Sequence, residues 1–184
     1  MNNASQPLRK LTTEEMGRLS VEEYRAAEKL PLVLVLDNVR SQNNVGSLFR
    51  TGDAFRVARI CLCGITSTPP HRDIHKTALG AEDAVEWSHF DETADCLRAL
   101  KADGYTVFAV EQAEHSTILN DFVAPAGAVA LVFGNEVEGV QASLLPLCDG
   151  CIEIPQFGTK HSLNVSCAAA VVMWEVQKQM RDRT

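Results

Sequence analysis

The chain has 184 residues, 46% of them hydrophobic, which fits one globular domain able to bury a substantial core. Its longest apolar runs, Leu32 to Leu36 and Ala128 to Phe133, fall far short of the roughly 20 residues that cross a bilayer, and the N-terminus lacks a signal-peptide core, so a cytoplasmic protein with no membrane partner is expected. The net charge of −7 argues against a purely electrostatic grip on a polyanion, yet it is unevenly spread: Asp37 to Lys76 carries six basic and three acidic residues, Thr77 to Glu153 two basic and fourteen acidic. One basic face, or solvated surfaces of both signs, would each satisfy that count.

Two capping boxes, Thr12 with Glu15 and Ser20 with Glu23, predict two short helices in an N-terminal extension over residues 1–30. The extension carries Arg9, Lys10, Arg18, Arg25 and Lys29, so it can pack on the main body or touch nucleic acid. The body, residues 31–184, alternates apolar strands with helical patterns and therefore reads as an α/β domain, a mostly parallel sheet flanked by helices. Strands are expected at Leu32 to Leu36, Arg59 to Cys63, Tyr105 to Val110, Ala128 to Phe133 and Cys151 to Ile154, with a short one near Val85 to Trp87. Helices are expected from Val45, capped by Asn44, over Asp91 to Ala102, and over Ser162 to Met180, capped by Ser162.

Ligands of open α/β sheets bind beyond the carboxyl ends of the strands, and three polar clusters fall there. The first is Asn44-Val45-Gly46 with Arg50, whose planar guanidinium can meet a phosphate or carboxylate. The second, Gly134 to Gly139, places Glu136 in a tight turn where Gly134 lets a ligand approach the backbone. The third runs from Ile154-Pro155 to Ser162-Leu163-Asn164; Asn164 lies too deep in the expected helix to be a cap, so its amide should face backbone or substrate. Neither the dinucleotide nor the P-loop glycine fingerprint occurs.

Other chemistry-bearing residues read as structural. His71 and His75 are spaced for a helical metal pair, but they follow Pro69-Pro70 and have no matching carboxylate or cysteine to complete a site, which favours a basic loop facing nucleic acid. The lone Cys148-x-x-Cys151 pair and the alternating Cys61 and Cys63 read as buried thiols, and Trp87 and Trp174 as packing or interface residues. No metal is expected.

The run Leu36 to Thr51 resembles motif 1 of the SpoU (TrmH) family of RNA ribose 2'-O-methyltransferases, Phe133 to Gly139 resembles its motif 2, and Ile152 to Pro155 with Ser162 to Ser166 its motif 3. The similarity covers roughly Leu32 to Gln177. It implies a SPOUT-type domain with a C-terminal trefoil knot, S-adenosyl-L-methionine as cofactor, a homodimer, and structured RNA (tRNA or rRNA) as substrate. Matched position by position, Arg50, Asn44, Glu136, Ser162 and Asn164 are the implied catalytic residues, and Val110, Gly134, Ile154 and Leu163 the implied cofactor contacts. A non-catalytic RNA-binding protein that retains the fold is the alternative.

Overall fold

A computed structural model describes residues 8–12 and 14–182. Seven strands, all paired in parallel, form one sheet in the order β3-β2-β1-β6-β4-β7-β5. They are β1 (Leu30–Asp37), β2 (Val57–Cys63), β3 (Trp87–Phe90), β4 (Thr106–Val110), β5 (Thr117–Ile118), β6 (Val129–Phe133) and β7 (Gly150–Glu153). The helices are α1 (Val21–Ala26), α2 (Gln42–Phe55), α3 (Arg72–Ala78), α4 (Ala81–Ala84), α5 (Thr93–Ala102) and α6 (Val165–Arg181).

The central strands are apolar on both faces because both faces are covered. On β1, Leu32, Leu34 and Leu36 join the larger core with side chains from α1, α2, α3 and α6, while Val33 and Val35 face a second core with α5, Cys61 and Cys63. Register fixes where the strands end: Leu36 pairs with Phe133, Val110 with Phe133, and Val110 with Ile152. The exits of β1, β6, β4 and β7 therefore lie at one level, and the loops that follow them meet at one edge.

A buried carboxylate ties that edge together. Asp37, fully buried at the end of β1, accepts from the Gln141 backbone N–H (3.0 Å), the Gln141 amide (2.7 Å), the Thr93 hydroxyl (2.7 Å) and the Asn38 amide (2.9 Å). It thus joins the exit of β1 to the segment after β6 and to the start of α5. Satisfying a buried charge this fully is what makes its burial tolerable.

Several expectations shift. The Thr12–Glu15 pair closes reciprocally, Thr12 N–H to the Glu15 carboxylate at 2.8 Å and Glu15 N–H to the Thr12 hydroxyl at 3.3 Å, but the residues after it form a turn rather than a helix. Ser20 does cap a helix, α1, through a complete capping box. The cap of α2 is Ser41, whose hydroxyl accepts the Asn44 N–H at 3.3 Å, so α2 starts earlier than expected and Asn44 sits in its first turn. The short strand forms at Trp87–Phe90 instead of Val85 to Trp87, because Val85 ends α4 and pairing with β2 begins at Ile60 opposite Trp87. Finally α6 begins at Val165 with Asn164 as its cap, not at Ser162.

The expected loop around His71 and His75 is helical. His71 caps α3, and His75 Nδ1 lies 2.5 Å from Glu82, a carboxylate seven residues away that the chain folds back through α4. Gly46, part of the first cluster, proves to be a packing glycine: a Cβ there would lie 2.1 Å from Thr77 Oγ1 and 2.3 Å from the Ile74 carbonyl, so its absence lets α2 and α3 touch.

Candidate active site

A cleft of about 420 Å³ opens beyond the ends of β4, β6 and β7. Its walls are the three loops that follow those strands, and it includes Val110, Gly134, Ile154 and Leu163, the four expected cofactor contacts, together with Glu136, Ser162 and Asn164. Asn44 stands at its rim, linked by hydrogen bonds to both Glu136 and Asn164. Arg50 is not part of it; six residues along α2 from Asn44, it opens onto a different cleft.

The loop after β6 is locked by its own backbone. Asn135 and Gly139 exchange two backbone hydrogen bonds of 3.1 Å, and the Asn135 side-chain oxygen accepts the N–H groups of Val137 and Glu138 at 2.8 Å each. Gly134 is obligatory: a Cβ there would stand 1.8 Å from the Gly139 carbonyl carbon and 2.0 Å from the Val140 nitrogen. Gly139 has φ +70° and would drive a Cβ to 2.0 Å from Glu111 Oε2. Such a loop is a rigid mount for Glu136.

From that mount a hydrogen-bond relay crosses all three motif segments. Glu136 accepts the backbone N–H groups of Arg40 (3.0 Å) and Ser41 (3.1 Å) and the Asn44 amide (2.7 Å). The Asn44 side-chain oxygen accepts the Asn164 amide at 3.1 Å, and the Asn164 oxygen accepts the Ser166 N–H (2.9 Å) and hydroxyl (2.6 Å) at the start of α6. Partial burial by itself would raise the Glu136 carboxyl, but the bonds from Arg40, Asn44 and Ser41 outweigh it and hold the carboxyl below its ordinary value. A carboxylate so engaged positions its neighbours and is a poor base. Asn164 caps α6 with its oxygen and spends its amide on Asn44, so one side chain serves both roles that the sequence made exclusive.

Ser162 is exposed on the cleft wall and takes part in no hydrogen bond among the described residues. Two wall residues outside the motifs fasten the loops. Glu111, just past β4, accepts the Val140 N–H at 3.0 Å and so fastens the loop after β6; Gln112 donates to the His161 carbonyl at 2.6 Å and fastens the loop after β7. Their only sequence signal was position, immediately beyond a strand end.

The lining suits one kind of small molecule. Glu111, Glu136 and Glu138 contribute carboxylates, His161 an imidazole, and among the described residues no lysine or arginine lines the cleft. Phosphate-bearing cofactors are disfavoured there, whereas a ligand with cationic groups, apolar surface and hydrogen-bonding edges is well matched. Among the described residues no group of three or more His, Cys, Asp and Glu is arranged to hold a metal, and Cys61 and Cys63 are buried in the sheet while Cys148 and Cys151 are half-buried. Nor is any helix long and apolar enough to cross a membrane among them.

Comparison with known proteins places this geometry. The chain is 33% identical over 167 residues to the tRNA (guanosine(18)-2'-O)-methyltransferase of Thermus thermophilus, across 90% of this chain and 84% of that enzyme. It is 30% identical over 167 residues to the 23S rRNA (guanosine-2'-O-)-methyltransferase RlmB of Vibrio parahaemolyticus, of whose length it spans 66%. The AdoMet-bound rRNA methyltransferase from Sinorhizobium meliloti superposes with a TM-score of 0.76 at 27% identity, over 84% of this chain and 59% of that one. The A. aeolicus TrmH/SpoU tRNA modifying enzyme shares the fold, with a TM-score of 0.79 at 24% identity over 89% of this chain and 83% of that one. Residues 31–174 match the SpoU rRNA Methylase family, and the chain belongs to that family.

Proposed function

We propose that the protein is an S-adenosyl-L-methionine-dependent methyltransferase acting on a ribose 2'-hydroxyl of tRNA or rRNA. The observation that carries this reading is the relay Glu136–Asn44–Asn164, which joins the three motif segments at the rim of a cleft that no lysine or arginine lines among the described residues. Bound there, the cofactor would supply a methyl group on a sulfonium, and the carboxylates of Glu111, Glu136 and Glu138 suit its cationic centres. Backbone at Val110, Gly134, Ile154 and Leu163 would hold it.

The 2'-hydroxyl is a weak nucleophile, so alignment and stabilisation of the developing alkoxide are the work left to the protein. Arg50 is the group for that task, since a guanidinium stays charged in proteins, stabilises negative charge and does not serve as a base. Its place on α2, outside the cleft of its own chain, favours a homodimer in which one protomer presents Arg50 to the donor cleft of its partner. An exposed apolar ridge on α6 supports association: Cys167, Val171 and Trp174 follow at helical spacing, Trp174 is 56% exposed, and its ring lies 6.1 Å from that of Phe55 on α2. The C-terminal trefoil knot belongs to the same reading, supported by a chain that twice returns, as β6 and as β7, to slots flanked by earlier strands. So do the division into an extension over 1–30 and a methyltransferase domain over 31–184, and a cytoplasmic location.

The test is incubation with labelled methyl donor and total RNA from a strain lacking the protein, followed by mapping of the ribose that becomes resistant to alkaline cleavage. Incorporation at one defined nucleotide is expected. RNA binding without incorporation would replace the enzyme by a non-catalytic RNA-binding protein.

A further inference from the structure

Arg50 opens onto a second cleft, of about 340 Å³. Its walls come from the end of the N-terminal extension (Leu19, Tyr24), from α2 (Arg50, Asp53) and from the turn between α3 and α4 (Leu79, Gly80). Tyr24 is only 5% exposed, and its hydroxyl is the single buried side-chain nitrogen or oxygen among the described residues without a hydrogen-bond partner. The Arg50 guanidinium and the Asp53 carboxylate, in the same cleft, likewise take part in no side-chain hydrogen bond or short ion pair among the described residues, so both side chains can turn to admit a ligand.

An orphaned buried hydroxyl destabilises a fold, and phenylalanine would fill the same volume without that penalty. A tyrosine at this position is accounted for when something absent from the free chain bonds to it. The three groups together define what that is. Arg50 calls for an anion, preferably a phosphate that can meet its planar fork. Asp53 repels a bare anion and accepts hydrogen bonds from N–H or O–H groups, and a phenol both donates and accepts. A molecule with a phosphate at one end and neutral polar edges at the other satisfies all three, and a ribonucleotide is such a molecule. Burial holds the Asp53 carboxyl above its ordinary value, with Arg18 of the extension opposing the shift, so a second cation stands near the cleft.

We propose that this cleft receives a ribonucleotide of the substrate RNA, its phosphate on Arg50 and its sugar or base edge against the Tyr24 hydroxyl and the Asp53 carboxylate. The N-terminal extension is then a wall of the RNA site, and Tyr24 a residue that determines RNA affinity. This inference rests on the RNA methyltransferase reading above.

The test uses the full-length protein with Tyr24→Phe. Loss of an unpartnered hydroxyl leaves the melting temperature unchanged or raises it, while KM for RNA rises about fivefold, the value of one hydrogen bond, and methyl-donor affinity stays the same. Asp53→Asn, a near-isosteric second variant, should raise KM in the same way. In parallel, the wild-type protein is cross-linked by ultraviolet light to bulk tRNA and bulk rRNA without methyl donor and digested with trypsin; a ribonucleotide adduct is expected on the peptide from Leu19 to Arg25. Wild-type KM in both variants with no adduct on that peptide overturns the proposal, whatever the enzyme methylates. An adduct on that peptide without methyl transfer to any RNA overturns the catalytic reading and leaves the cleft standing.

Discussion

Glu136→Gln probes the relay with almost no change in volume. The carboxylate meets three donors: Oε1 takes the Ser41 N–H at 3.1 Å and the Asn44 amide at 2.7 Å, and Oε2 takes the Arg40 N–H at 3.0 Å. A glutamine oxygen can keep the first two, but its NH₂ group then faces the Arg40 N–H, donor against donor. A hydrogen bond to a charged group is worth about 1.5–3 kcal/mol, and because Glu136 is exposed, solvent screening brings the expected loss to about 1–2 kcal/mol. That corresponds to roughly 5- to 30-fold, and it should appear in methyl transfer at saturating donor and RNA, because the relay orients groups at the rim without forming the core. The assay is single-turnover transfer in a double-mutant cycle with Asn44→Ala. As both substitutions interrupt one relay, the double variant should be about as slow as the slower single one, a coupling within the range of about 0.5–3 kcal/mol found for neighbours. Rates that multiply as for independent sites, or an unimpaired Glu136→Gln enzyme, would refute a functional relay.

The same carboxylate sets a pH dependence. Its folded pKa lies below the ordinary 4.5, so the native state holds that proton less readily than the unfolded chain; the stability it adds is present above 4.5 and disappears as pH falls through the lower folded value. Melting curves of wild type and Glu136→Gln from neutral pH down to about 3 should therefore converge at the acid end, and a constant gap would count against the assignment. Gly134→Ala drives a Cβ to 1.8 Å from backbone and must displace the loop after β6; donor affinity by calorimetry should fall at least about tenfold, while wild-type affinity would show that the loop adapts freely. Trp174→Glu puts a charge on the α6 ridge, so sedimentation should show monomers and methyl transfer should fail with them, whereas a dimer of wild-type strength would remove α6 from the interface.

The strands of the sheet interior were legible because continuous apolar runs such as Leu32 to Leu36 have no other stable destination, and the motif residues because polar side chains with glycine directly after such runs sit where loops converge. Short elements were not. Helices α3 and α4 have seven and four residues, too few for a periodic signal, and Thr117–Ile118 is a strand only because β7 lies beside it. Caps were misplaced for a local reason: Ser41 and Asn44, or Ser162 and Asn164, are equally good capping residues in isolation, and in the first pair the choice is settled by Glu136, which engages the Ser41 N–H and the Asn44 amide from 95 and 92 residues away. That Arg50 belongs to a different strand-helix unit from the donor loops was legible; that it opens onto a second cleft was not, since sequence spacing along α2 does not say which neighbours its faces meet.

The strand order carries a consequence for how the molecule is made. β6 pairs with β1 on one side and β4 on the other, and β7 enters between β4 and β5, so the middle of the sheet closes after its flanks have been synthesised. Until residues 129–133 are available, β1 presents an unpaired edge whose Leu32 to Leu36 side chains are all destined for full burial. Assembly must wait for contacts almost a hundred residues apart, which predicts slow folding and a nascent chain that depends on protection from aggregation during that interval.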